Sequence, residues 1–279
     1  MIMFTQTQLQ RLTELDAPEE TALREFESPA ERDGAFRALE RERVSVCRER
    51  LLHCVEDVHK VELAETKAIL TDWLTEREGF TEVMTPTVIT AEMLDRMTIT
   101  EAHHLREQVY WVDGKKCLRP MLAPNLYIVM RDLSRAIKAP VKIFEAGSCF
   151  RKETKGAQHL SEFTMLNLVE YATVKEGEQM ARLRELASGA MEALGITGYE
   201  LKTESSDVYG ETLDIELDGV ELASGAYGPH FLDEQWNVFE TWVGLGLGLE
   251  RIAMVRGNHR NIKRVGRSTT YFSGSPLKL

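Results

Sequence analysis

Gly244-Leu245-Gly246-Leu247-Gly248-Leu249-Glu250-Arg251 is the stretch on which the fold turns. A β-strand sends alternate residues to opposite faces, so the three glycines share one face and Leu245 and Leu247 share the other. Glycine weakens a strand unless another backbone or a ligand must approach closely, and the glycine face therefore reads as a flat floor for a ligand. The glycines recur every second residue and an arginine follows them, unlike the Gly-x-Gly-x-x-Gly turn that binds dinucleotides. No Gly-Lys-Ser or Gly-Lys-Thr phosphate loop occurs in the chain.

Upstream, Leu213, Ile215 and Leu217 alternate with Thr212, Asp214 and Glu216. Asp218-Gly219 then makes a tight turn before Val220 and Leu222, which predicts an antiparallel hairpin. Phe163, Met165, Asn167 and Val169 follow the same two-residue period, and a polar Asn sits among apolar neighbours on that face. Strand signals run from Gly79 onward and are interrupted by helical ones at Pro124 to Ile137 and Glu176 to Leu194, so the predicted fold class is α+β. The start of the chain is helical. Ser28-Pro29-Ala30-Glu31 reads as an N-cap serine, a proline at the first helical position and a capping-box glutamate. Val44, Cys47, Leu51, Cys54 and Val58 then form one stripe, with Arg48, Glu49, Arg50 and Glu56 outside it, and this stripe is expected to pack against the body of the protein. Leu63, Leu70, Trp73 and Leu74 mark a further helix that ends near Gly79. We place a boundary near residue 62, between a helical extension (1–62) and the main domain (63–279).

The chain has 279 residues, of which 43% are hydrophobic, enough for one large core or two modest ones. It has neither a run of about 18 apolar residues nor a signal-peptide start, which points to a cytosolic protein with no membrane association. Cys47, Cys54, Cys117 and Cys149 lack metal or redox spacing and read as reduced, packed thiols. The formal net charge of −11 argues against a polyanionic partner, but its distribution is uneven. Beyond Glu250 no acidic residue follows, while Arg251, Arg256, Arg260, Lys263, Arg264, Arg267 and Lys278 are basic, making this segment a candidate for phosphate.

Three segments resemble the signature motifs of class II aminoacyl-tRNA synthetases. Gly79-Phe80-Thr81-Glu82-Val83-Met84-Thr85-Pro86-Thr87 resembles motif one, a helix-to-strand element that in the family forms the dimer interface. Phe150-Arg151-Lys152-Glu153, a polar loop, and His159-Leu160-Ser161-Glu162-Phe163 resemble the strand, loop and strand of motif two, and the glycine strand resembles motif three. The resemblance implies an ATP site. Adenylate formation requires a fixed cation on the α-phosphate, and arginine keeps both its charge and its planar geometry there. Arg151 takes that role, Glu153 accepts from the adenine amino group, His159 lies near the triphosphate with Leu160 beside it, and Phe163 stacks on adenine. Arg251 holds the γ-phosphate of a bent ATP. Glu221-Leu222-Ala223-Ser224-Gly225 resembles the family segment that binds ATP and Mg²⁺, with Glu221 and Ser224 as oxygen donors and Leu222 at the nucleotide. Arg151, Arg251 and Glu221 are the implied catalytic residues.

From about Gly79 to Leu279 the closer similarity is to the pyrrolysyl-tRNA synthetase family. Leu118-Arg119-Pro120-Met121-Leu122-Ala123-Pro124-Asn125-Leu126-Tyr127, Phe163-Thr164-Met165-Leu166-Asn167 and Asp207-Val208-Tyr209-Gly210-Glu211-Thr212 resemble its substrate-pocket segments. A helix starting at Pro124 puts Leu126, Tyr127 and Met130 on adjoining positions of one face. With Leu122, Ala123, Val169 and Trp242 they would line an apolar tunnel for a long, uncharged lysine derivative, beside Ser224, Ala226 and Gly244. The resemblance implies that Asn167 bonds the substrate's side-chain carbonyl and that Tyr209 closes over its ring. It also implies a homodimer that charges its cognate tRNA with pyrrolysine using ATP and Mg²⁺. Residues 1–62 and the basic tail, Arg256 to Arg267, would contact the tRNA, with or without a separate tRNA-binding chain. The length leaves no room for the N-terminal tRNA-binding domain that some members carry.

The sequence departs from the family at three places. Tyr227 stands where a smaller residue is expected, Leu247 stands where Phe is usual, and Ala102-His103-His104-Leu105 replaces an acidic, proline-containing loop. Strand alternation turns Ala226 toward the substrate and Tyr227 away. His103 and His104 lack ligand spacing and read as surface residues. Two alternatives stay open: a class II synthetase or amino-acid ligase for another apolar or aromatic acid, and a catalytically silent tRNA-binding relative.

Overall fold

Helix α1 (Gln6–Glu14) begins with a reciprocal cap, in which Thr5 Oγ1 accepts from Gln8 N (3.2 Å) and Gln8 Oε1 accepts from Thr5 N (2.9 Å). Helix α2 (Pro29–Glu56) begins where Ser28 and Pro29 predict it, with Ser28 Oγ accepting from Glu31 N at 3.2 Å. Its Glu31 carboxylate reaches one residue further back than a capping box requires and accepts from Glu27 N at 2.9 Å. These details come from a computed structural model that describes residues 2–56, 60–152, 156–206 and 208–279. The chain divides into two compact units, residues 1–62 with 263–279, and residues 63–262.

Phe4, Leu12, Ala17 and Phe26 form the small core of the first unit, with Phe36 and Leu39 packed against it. Along α2 only Cys47 of the predicted stripe is fully buried. Its thiol lies 3.6 Å from Leu15 O inside this unit, while Val44, Leu51 and Cys54 are half-buried. Cys47 thus packs within the first unit, and Val58 falls outside the described residues. The C-terminal segment 263–279 was expected with the main domain, yet it packs here. The reason is Arg264: its buried guanidinium donates to Gly274 O (2.8 Å) and Thr13 O (2.6 Å), lies 3.7 Å from Asp16 and covers the Tyr271 ring. One of the basic residues assigned to phosphate is thus consumed inside the fold.

In the second unit, helix α3 (Glu62–Asp72) runs into a π-helical turn (Trp73–Glu78) that ends at Gly79, whose φ of 74° terminates the helix. A seven-stranded sheet follows, built from β1 (Thr81–Glu82), β2 (Val141–Phe150), β3 (Glu162–Tyr171), β4 (Glu200–Ser206), β5 (Gly210–Leu217), β6 (Val220–Gly228) and β7 (Trp242–Gly248). Its order is β1-β2-β3-β7-β6-β5-β4, with β1 parallel to β2 and every other pair antiparallel. The α+β expectation therefore holds. The Asp218-Gly219 hairpin joins β5 to β6, and both turn residues have positive φ, as a type I′ turn requires. Helix α4 (Ala123–Ile137) lies against β2 and β3, and helix α5 (Gln179–Leu194) lies against β6 and β7. On α5 the apolar residues recur at helical spacing, and Leu183, Leu186, Ala187, Ala190 and Met191 are all buried. Each leucine so buried contributes about 1.5–3 kcal/mol before entropy is counted. Among the described residues no helix is long and apolar enough to cross a membrane.

Candidate active site

The antiparallel register aligns one row of residues across the sheet. Glu145 pairs with Asn167, Asn167 with Gly246, Gly246 with Ser224, and Ser224 with Asp214. Facing residues on one side of a sheet act together, so an amide, a bare backbone, a hydroxyl and a carboxylate form one surface. A Cβ at Gly246 would lie 3.1 Å from Asn167 Nδ2, which explains why a glycine stands at the centre of the row. The next row places Val169 beside Gly244 and Gly244 beside Ala226.

Over these two rows lies a cavity lined mainly by apolar side chains with a few polar groups among them. Ala123, Leu126, Tyr127 and Met130 line it from α4, and Asn167 and Val169 from β3. Ser224, Ala226, Trp242, Gly244 and Tyr209 complete the predicted set. Leu122, predicted among them, is not in the lining and lies fully buried in the core at the start of α4. Gly246 lines the cavity as the glycine floor predicts, while Leu168, Thr212, Gly225 and Leu245 line it without having been named as site residues. Tyr227 pairs with Val243 and is absent from the lining, so it does not shorten the cavity. Leu247 is buried and also absent from it. Asn167 Oδ1 is buried with no hydrogen-bond partner in the protein, an uncompensated polar atom in an otherwise apolar setting.

At one end of the cavity Asp233, in the short helix α6 (Asp233–Trp236), holds an aromatic cluster. Its carboxylate accepts from Tyr127 OH (3.0 Å), Trp242 Nε1 (2.9 Å) and His230 N (2.5 Å). Burial pushes the Asp233 carboxyl up, and these three donors oppose it. Burial raises the Tyr127 and Tyr209 phenols as well, so both remain neutral, and Tyr127 is the one seen donating to Asp233. Tyr127 stacks on Trp236 at 5.2 Å, and Tyr209 meets Trp242 edge-on at 6.3 Å.

Toward the other end of β7 lie the residues implied for ATP. Arg151 Nε donates to Pro120 O at 3.0 Å, and its guanidinium lies 5.3 Å from the centroid of the half-buried Phe163 ring. Arg251, at the start of helix α7 (Leu249–Arg256), donates to Glu221 O at 3.0 Å and lies 3.3 Å from its carboxylate. Desolvation in the cleft raises the Glu221 carboxyl; Arg251 opposes the rise and Asp214 adds to it. Ser224 Oγ donates to Asp214 Oδ1 at 2.6 Å, which leaves the hydroxyl lone pairs able to accept. His159 is exposed, Leu160 is half-buried and Leu222 is buried, and the structure does not draw these three into the cavity lining. Glu153 lies outside the described residues. Glu250, next to Arg251, does not face the cleft. It is buried, and both its carboxylate oxygens accept from Thr164 N (2.9 and 2.8 Å), which pins the start of β3.

A second polar group continues the row from Asn167 to Glu145. Arg119 and Glu145 form a buried pair at 2.7 Å, Glu145 accepts from Thr85 Oγ1 (2.5 Å), and Asn125 donates to Thr85 Oγ1 (2.6 Å) and Pro86 O (2.9 Å). This network joins the Thr85-Pro86 segment to α4 and the sheet. His103 is not a plain surface residue, since its Nδ1 accepts from Leu105 N at 3.1 Å and caps a short helix. Among the described residues no group of three or more His, Cys, Asp or Glu side chains is placed to hold a metal ion.

The sheet, the glycine strand and the paired arginines define a class of protein. The class II tRNA synthetase core domain family (F) matches residues 52–274, and the chain belongs to the class II tRNA synthetases. A crystal structure of pyrrolysyl-tRNA synthetase from Desulfitobacterium hafniense aligns over 99% of both chains with a TM-score of 0.92 and 47% identity. A second structure, of the Desulfitobacterium hafniense PylSc protein, aligns over 99% of this chain and 96% of that one, with a TM-score of 0.90 and 45% identity. At this identity along nearly the whole length, the chain belongs to the pyrrolysyl-tRNA synthetase family. More distantly, O-phosphoserine--tRNA(Cys) ligase from Methanococcus maripaludis is 25% identical over 165 residues, 55% of this chain. The corresponding ligase from Methanocorpusculum labreanum is 26% identical over 172 residues. The chain spans only 30% and 31% of the lengths of these two curated relatives.

Proposed function

We propose that the protein activates pyrrolysine with ATP and transfers it to the 3′-end of its cognate tRNA. The observation that carries this reading is Asn167, an amide with an unpartnered buried oxygen in an apolar cavity. A buried polar atom costs about 1–3 kcal/mol when left unpaired, so the site rewards a ligand that brings a hydrogen-bond donor to that depth. A neutral amide-bearing side chain does so, and its apolar remainder suits Leu126, Met130 and the aromatic end of the cavity. A free ammonium could donate to the Asn167 oxygen but could not accept from the Asn167 amide nitrogen, as the carbonyl of an amide-bearing side chain can.

Activation forms a bond from the amino-acid carboxylate oxygen to the α-phosphorus and breaks the bond to the pyrophosphate oxygen. No proton is transferred, so the chain needs no general base; it contributes positioning and charge neutralisation. Arg151, braced by Pro120 O and Phe163, presents a fixed cation, and Arg251, held by Glu221, presents a second. Glu221 and Ser224 would hold Mg²⁺, and their oxygen donors suit a hard cation that keeps waters and phosphate oxygens in its shell. When bound, Mg²⁺ supplies positive charge to the phosphate oxygens. In the second step a ribose hydroxyl of the tRNA attacks the adenylate carbonyl, the acyl–phosphate bond breaks, and AMP leaves with the hydroxyl proton passing to its phosphate or to solvent.

Exposed apolar residues near the motif-one segment, Met84 at 93% and Val88 at 44% exposure, support a homodimer whose interface covers them. For tRNA, the exposed Arg260, Lys263 and Arg267 and the helical extension are the proposed contacts, and Arg264 is excluded by its burial. Affinity should then fall by about 0.7–0.9 log units per log unit of salt for each phosphate neutralised. The reading is tested by ATP–pyrophosphate exchange with Asn167→Ala and Arg151→Ala. The first should raise KM for an Nε-acyl-lysine and the second should abolish exchange; an Asn167→Ala enzyme with unchanged KM would overturn the assignment of the cavity.

A further inference from the structure

The connection from β6 to α6, residues 229–232, contacts Tyr209 and Asp233 at the aromatic end of the cavity. His230 Nε2 is hydrogen-bonded to the backbone carbonyl of Tyr209, which also accepts from Glu211 N at 3.0 Å. Leu232 N donates to His230 Nδ1 at 3.4 Å. An imidazole that accepts at Nδ1 carries its proton on Nε2, so Nε2 donates to the Tyr209 carbonyl. The His230 ring also meets the Tyr209 ring edge-on at 5.8 Å. Gly210, with φ of +76°, lets the chain turn directly after Tyr209, and a Cβ there would lie 3.9 Å from Nε2. On its other side His230 N donates to Asp233, the carboxylate that holds Tyr127 and Trp242. Tyr209, Tyr127 and Trp242 all line the cavity.

We propose that His230 is a positioning residue that latches Tyr209 against the aromatic end of the cavity and thereby sets the preference for long Nε-substituents on lysine. The inference rests on reading the cavity as the amino-acid site. Trp242 lies six residues along β7 from Gly248, about 20 Å at the rise of a strand, and four residues from Gly246 beside Asn167. Only a substituent that extends beyond the Asn167 amide reaches the residues that His230 controls. An acetyl group ends too soon, whereas a ring-bearing acyl group contacts Tyr209. Losing one hydrogen bond shifts a local equilibrium by about 3- to 10-fold, and the effect should appear in binding rather than in chemistry.

The test is ATP–pyrophosphate exchange by the full chain with Nε-acetyl-lysine and with lysine acylated at Nε by a cyclopentane-bearing group. His230→Phe keeps a ring but removes both nitrogens, and it should raise KM for the ring-bearing substrate about 5- to 10-fold, with kcat and the acetyl-lysine KM within about 2-fold. His230→Gln restores an N–H donor at similar reach and should recover most of the loss. An unchanged KM in His230→Phe, equal losses for both substrates, or a glutamine variant as impaired as the phenylalanine one would overturn the latch. Hydrogen exchange of the amides at 208–212 gives a substrate-free readout, expected to be about 10-fold faster in His230→Phe. If the wild-type protein exchanges with neither substrate, the reading of the cavity fails, while faster amide exchange would still support the latch and an unchanged rate would refute it.

Discussion

Gly246→Ala adds a single methyl group at the centre of the proposed substrate site. A Cβ built there lies 3.1 Å from Asn167 Nδ2, 3.3 Å from Asn167 Oδ1 and 3.3 Å from Met165 Cε. Ordinary carbon contacts settle near 3.5–4.0 Å, so the amide must retreat by roughly 0.4 Å or turn. A hydrogen bond with its best length near 2.9–3.0 Å loses much of its net value of about 1 kcal/mol over such a displacement. That corresponds to a loss of about 3- to 5-fold in kcat/KM for an Nε-acyl-lysine. Stability should hardly change, because replacing glycine within a strand returns about 0.5–1 kcal/mol against the crowding. The assay is ATP–pyrophosphate exchange on an Nε-acyl-lysine and on an Nε-alkyl-lysine that has no carbonyl for Asn167 to bond, with thermal unfolding as a control. An unchanged kcat/KM for the acyl substrate, or an equal loss for the alkyl one, would refute the role given to the Asn167 amide.

Arg251→Ala removes the cation held by Glu221 at the cleft and should lower exchange by about 100- to 1,000-fold with little change in melting temperature, since the side chain is partly exposed. Arg119→Ala leaves the Glu145 carboxylate buried and unpaired, and urea unfolding should register a loss of about 3–5 kcal/mol. Glu170 is buried; burial alone would raise its carboxyl, but hydrogen bonds from Arg182 and Lys142 outweigh this and hold it below the ordinary 4.5. A depressed folded-state value contributes stability that is fully present above pH 4.5 and lost as pH falls through that lower value. Glu170→Gln should therefore flatten the acid side of the stability profile, as measured by urea midpoints from pH 7 down to pH 3.

Local chemistry made much of the architecture legible. The Ser28-Pro29 start of α2, the Gly79 terminus, the Asp218-Gly219 turn and the glycine strand all depend on residues that constrain their own backbone. The two-residue period of β3 likewise put Asn167 and Val169 on one face, and the structure places both at the cavity. Features fixed by distant partners were not legible. Thr85, Arg119, Asn125 and Glu145 meet across separations of 26 to 60 residues, which no periodicity encodes. Asp233 reads as an ordinary turn acid until folding surrounds it with Tyr127, Trp242 and His230. Arg264 looked like its basic neighbours, yet backbone carbonyls of α1 and of the C-terminal segment enclose it. Charge alone could not separate a phosphate contact from a buried brace. Leu122 misled in the same way: its apolar character announced burial, but only the geometry of the first turn of α4 decided which side it faced.

ATP–pyrophosphate exchange by the purified wild-type protein, comparing a bulky Nε-acyl-lysine with lysine and phenylalanine, tests the central claim most directly. The Asn167 cavity predicts exchange with the acyl-lysine alone. Exchange driven by phenylalanine, or by lysine as well as by the acyl-lysine, would contradict it, because neither side chain both donates to the unpaired Asn167 oxygen and accepts from the Asn167 amide nitrogen.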